Sequence, residues 1–151
     1  MSSGSPSGAA VRARAMMIGG LVVGNAVGLS VLGLALGLAG ATAVASAAIG
    51  LAAVVVFFSI GQAIEIVACE LDPVQGMALA LASYGVRVVG LGLILFLVLG
   101  DPDIAARLSE GWLVAGLVGG VLGWLGGIVF VAARQRVPVY DVEYQPPASQ
   151  L

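Results

Sequence analysis

The sequence predicts an all-α integral membrane protein: a four-helix bundle made of two transmembrane hairpins, with both termini cytoplasmic. Three observations carry this. First, hydrophobic residues make up 60% of the 151-residue chain and charged residues 9%, at a mean hydropathy of +1.12. A soluble domain of that size has too little interior to hide so much apolar surface. Second, the chain holds four apolar runs, near 15–38, 42–68, 75–99 and 112–133. Each reaches the roughly 20 residues, at ~1.5 Å rise, that cross a bilayer core. Third, Arg12, Arg14, Arg134 and Arg136 fall on one side of a four-span layout, and Arg107 is the single loop arginine on the other. The excess of arginine marks the cytoplasmic face. The expected organisation is a disordered tail over 1–13, a transmembrane domain over 14–134 and a second cytoplasmic tail over 135–151.

Composition also sets aside several classes. The net charge of -2 points to no partner. No basic stretch is interleaved with aromatics, so nucleic acid is not expected. The single cysteine, Cys69, cannot form an internal disulfide, and there is no histidine, so no His/Cys metal site is expected. No nucleophile–base pair and no phosphate loop stands out, so neither an enzyme nor a cofactor is predicted. Glu70 and Asp72 could hold a magnesium ion through water, but two acids are a weak signal and read more simply as polar ends, like Asp101, Asp103 and Glu110.

Each span has its own justification. The first follows a Ser/Gly/Pro/Ala-rich start and two arginines. That arrangement resembles a signal peptide, but the run is too long and three further spans follow. It carries Gly20, Gly24 and Gly28, then Gly33 and Gly37. Small residues four apart let another helix backbone approach closely. The reversal falls at Leu38–Thr42, where Gly40 can take a positive φ. The second span is Ala-rich and then polar near its end, with Gln62 and Glu65. Pro73 ends it or opens the third span. The 100–111 loop has room for one amphipathic turn on the outer surface. The fourth span starts at Trp112, placed for the headgroup region. It carries a ladder at Gly119, Gly123 and Gly127 and a parallel one at Gly116 and Gly120. The ladders serve internal packing or form a docking groove for another protein.

One charge lies deep in the apolar interior. Arg87 sits in the middle of the Met77–Leu99 run, where a cation costs ~2.5–3.5 kcal/mol on insertion scales. The second and third spans are antiparallel neighbours, and Glu65 lies about 10 Å nearer the cytoplasmic turn than Arg87 at helical rise. Side chains lean toward the N-terminus of their own helix, so Glu65 leans toward the membrane centre, Arg87 leans toward the cytoplasm, and the two close the gap. Gln62 lies between them. Ala80, Ser83, Arg87 and Gly90 form one face of the third span, opposite Phe58, Gln62, Glu65 and Cys69. The candidate intramembrane polar cluster is therefore Gln62, Glu65, Ser83, Tyr84 and Arg87, with the Tyr84 hydroxyl satisfied nearby. It is either an internal clamp or a site where Arg87 meets a partner's carboxylate or lines an ion path, with a snorkelling Arg87 that has no partner as a third case.

With these residues in view, the chain resembles actinobacterial-type members of the ATP synthase protein I family. The resemblance rests on the four spans with a tight first hairpin and on Ser83-Tyr84-Gly85-Val86-Arg87-Val88-Val89. The exit Arg134-Gln135-Arg136-Val137-Pro138-Val139-Tyr140-Asp141 adds to it. It implies a bacterial inner-membrane accessory protein of F-type ATP synthase that helps assemble the rotor ring. The expected partner is then the c subunit. A magnesium-transport role proposed for the family supplies the runner-up: a small, homo-oligomeric ion transporter with Gln62, Glu65 and Arg87 along the path. A rotor proteolipid is disfavoured, because Glu65 lies near a helix end and no Gly-x-Gly-x-Gly run is present. A purely structural membrane protein remains the plainest alternative.

Overall fold

A computed structural model of the chain describes residues 8–135. These fold into α1 (Gly8–Ala39), α2 (Ala41–Ala68), α3 (Pro73–Gly100), the single-turn α4 (Pro102–Ala105) and α5 (Glu110–Arg134). The four long helices are each apolar and long enough to cross a membrane, and we read the chain as a multi-pass membrane protein. The all-helical bundle is as expected.

The connections follow from local chemistry. Gly40 alone separates α1 from α2, at φ 80° and ψ -167°, a backbone region that only glycine occupies freely. Its N–H donates to the Ala35 carbonyl, and its own carbonyl accepts from Val44. Pro73 opens α3 at its first turn, where a missing N–H costs nothing. The Asp72 carboxylate caps the helix by accepting from the amides of Val74 at 3.1 Å and Gln75 at 3.2 Å. Asp101 and Pro102 repeat the device at α4, the surface turn expected in the long loop. Ser46 ties that loop to α2, its hydroxyl accepting from the Ser109 amide at 2.8 Å.

Helix ends differ from the expected spans, mostly at the start of the chain. α1 begins at Gly8, so residues 8–13 are helical rather than part of the tail. Ala9, Ala10, Arg12 and Ala13 favour helix ahead of the point where the apolar run begins. Residues 1–7 and 136–151, with Arg136 and most of the second tail, lie outside the described residues.

The four long helices pack unevenly. α1, α2 and α5 form a three-helix core, each against the other two, whereas α3 packs chiefly on α2. The two glycine ladders of α5 divide the work. Gly119, Gly123 and Gly127 face α1: a Cβ at Gly123 would lie 3.0 Å from the Gly24 Cα, and one at Gly127 would meet the Gly19 carbonyl. Gly116 and Gly120 face α2, against the Ala47 carbonyl and Val54. On α1, Gly20 and Gly24 receive Trp124, and Gly28 receives Leu51. The ladders are thus spent on internal packing, apart from Gly33 and Gly37 of α1, where a Cβ would meet nothing within 4 Å. Without a hydrophobic force between helices in lipid, such close contact is what holds them. Trp112 packs on the Ala35, Ala43 and Ala47 cluster at the far end.

This division yields a paired test. Gly127→Ala forces a methyl against the α1 backbone and should cost about 1–3 kcal/mol in an SDS-unfolding titration. Gly126→Ala, where nothing lies within 4 Å, should cost nothing. Equal effects would contradict the close α1–α5 approach.

Candidate functional site

The site forms where α3 crosses the last turns of α2. Helical spacing puts Gly61, Gln62 and Glu65 on neighbouring positions of α2, and Ser83, Arg87 and Gly90 on one face of α3. Ser83 and Gly90 are the two buried residues of α3. Gly76 faces the Ala68 carbonyl, and Gly90 seats the Phe57 ring, so small residues at both ends let the backbones close.

Within this seam the Glu65 carboxylate is fully engaged. Its Oε1 accepts from Arg87 Nη1 at 2.8 Å and from the Ser83 hydroxyl at 3.0 Å. Its Oε2 accepts from Gln62 Nε2 at 2.8 Å. The Ser83 hydroxyl also lies 2.8 Å from the Ala80 carbonyl, sharing one proton between two acceptors. The opposed leans of Glu65 and Arg87 bring them together as expected.

Arg87 is less well satisfied. Its side chain is 17% exposed, against 31% for Glu65. It lies flat over Gly61, where a Cβ would collide with Nε. Its Cζ stands 5.4 Å from the centroid of the Phe58 ring, a cation–π contact that partly offsets burial. Yet Nε and Nη2 are both buried without an acceptor. Each unmade hydrogen bond of this kind costs about 1–3 kcal/mol, more for a charged group. Phe58 in turn meets Trp124 edge-on at 5.8 Å, and the Trp124 Nε1, facing Gly20, is also buried and unpartnered. A row of side chains therefore runs from Glu65 through Arg87 and Phe58 to Trp124.

Beside the pair, a cleft of about 430 Å³ opens between α1 and α3 over the end of α2. Met16, Gln62, Glu65, Met77 and Ala80 line it, while the Arg87 guanidinium does not. It leaves the carboxylate reachable at the 69–72 end and the guanidinium covered. No group of three or more metal-ligating side chains occurs among the described residues.

Four of the five expected cluster residues meet here: Gln62, Glu65, Ser83 and Arg87. Tyr84 does not. It is 65% exposed and turns away from the seam, since it lies 100° round the helix from Ser83. Sequence reasoning missed Gly61 and Trp124. Gly61 lies one turn before Glu65, where a glycine beside an expected Arg–Glu pair signals room for the guanidinium stem. Trp124 is 0% exposed in mid-span, away from the interface where tryptophan gathers. That placement marks it as a packing centre.

If the ion pair fastens α3, Arg87→Leu should loosen it by of order 1–2 kcal/mol, the range for polar contacts between membrane helices. Spin labels on Ile49→Cys and Leu97→Cys, with Cys69→Ser, should then give a broader and longer distance distribution than the parent. An unchanged distribution would show that Phe57 in its Gly90 seat suffices. No family model, no curated protein and no solved structure matches the chain.

Proposed function

We propose that this chain is a membrane accessory protein of F-type ATP synthase, assisting assembly of the rotor c-ring by helix–helix contacts in the bilayer. The observation that carries the reading is the uneven bundle: α3 packs chiefly on α2, so one limb stands open to an incoming helix beside an intramembrane ion pair. A glycine-rich hairpin with one membrane carboxylate, which the family resemblance implies as partner, suits that surface in shape and charge. The internal use of both glycine ladders moves the docking surface from α1 and α5 to α3. Arg12, Arg14 and Arg134 lie at the end of the bundle where the Gln135 side chain donates to the Arg12 carbonyl. By the arginine rule that end, with both termini, is cytoplasmic, and the family resemblance implies the bacterial plasma membrane.

A second reading draws on the cleft. Gln62 and Glu65, which line it, would suit a small transporter for magnesium or another ion. Arg87 stands against it, because a cation beyond the carboxylate repels a cation on the same path.

A mild-detergent pull-down of the tagged protein from its native membranes separates the two. Enrichment of c subunit above other abundant membrane proteins is the expected result. Recovery of the chain alone, together with ion flux in liposomes holding the purified protein, would replace the assembly reading with transport.

A further inference from the structure

We infer that the Nε/Nη2 edge of Arg87 is a vacant binding site for a carboxylate carried by another transmembrane helix, with Glu65 retained on Nη1. The inference deepens the assembly reading and rests on it for the partner being a helix within the bilayer.

The geometry of guanidinium supplies the argument. Its five N–H donors lie in one plane, and the Nε and Nη2 donors point the same way at the spacing of two carboxylate oxygens. Glu65 takes only Nη1. The paired donors on the side-on edge are both buried and both without an acceptor. Two vacancies that form one fork ask for a two-oxygen ligand more than for two separate ones. Glu65 acts as a positioning residue that holds the guanidinium across Gly61 through Nη1 alone.

The fork is covered by few groups. Gly61 and the Phe58 ring lie against the guanidinium, and α3 is anchored chiefly to α2. A helix docking along the α2–α3 seam has to displace the phenyl ring or α3 to reach the fork. It then gains a charge-assisted bidentate pair in a medium without water to compete. Depth sets the partner's chemistry further. Arg87 is fourteen residues into α3, about 21 Å at helical rise, so the ligand carboxylate lies near the middle of its own span.

The probe is a 23-residue Leu/Ala transmembrane peptide with one central Glu, compared with its Gln counterpart, in phosphatidylcholine vesicles at pH 8. Energy transfer from a dye on the exposed Cys69 to a dye on the peptide reads association. The Glu peptide should bind about tenfold more tightly than the Gln peptide. Arg87→Lys should remove that preference, because an ammonium can still meet Glu65 but offers no fork. A preference that is absent, or that survives Arg87→Lys, overturns the inference and leaves the two donors to an internal water. A measurement on the unmutated protein guards against misfolding of the variant: the ¹⁵Nε resonance of Arg87 should shift with the Glu peptide alone, and an unmoved resonance overturns the site. The outcomes stay separate from those of the pull-down. A Glu preference without c-subunit capture keeps the carboxylate site and rejects the partner, while capture without a Glu preference does the reverse.

Discussion

A charge in lipid has to be met by protein, and in this chain the requirement falls on the contact between Glu65 and Arg87. Two kinds of cement hold the bundle. α1, α2 and α5 are joined by backbone approach at glycines, a contact that needs no polar atom and tolerates no added methyl. α3 has little of this, with glycine seats only at Gly76 and Gly90. What remains is the carboxylate, which gathers Arg87, Ser83 and Gln62 onto one group. The third helix is thus fastened by electrostatics and the other three by shape.

That division has a functional sense. A core locked by close packing offers a rigid platform, whereas a limb held by a few polar contacts can exchange partners at modest cost. The contact also has an asymmetry. The acid faces a cleft that opens at the 69–72 end, while the base is covered by Phe58 and Gly61. An ion pair whose acid lines a cleft and whose base is buried and incompletely bonded gains from a second acceptor.

Much of this was legible in the residues. The spans follow from hydropathy, the reversal at Gly40 from conformational freedom, and the start of α3 from Pro73. The meeting of Glu65 and Arg87 follows from the direction in which side chains lean on antiparallel helices, which depends on neither partner's identity. What was not legible depends on which helix neighbours which. A small-residue face fits any other, so sequence could not say that Gly123 and Gly127 would meet α1 while Gly116 and Gly120 met α2. The tight turn placed α3 beside α2, but sequence could not say that α3 would pack on little else. Tyr84 was placed in the cluster by its neighbours in sequence, but a single residue's rotation turns it to the outside. The early start of α1 reflects helix propensity outlasting the apolar run.

The most direct test of the central claim is a double-mutant cycle on Glu65→Leu and Arg87→Leu, read by SDS-unfolding in mixed micelles. The account predicts that the two residues are coupled, by about 1 kcal/mol or more, with the double variant more stable than the additive sum. A coupling near zero, with both single variants additive, would contradict it and leave α3 held by the Gly76 and Gly90 seats alone.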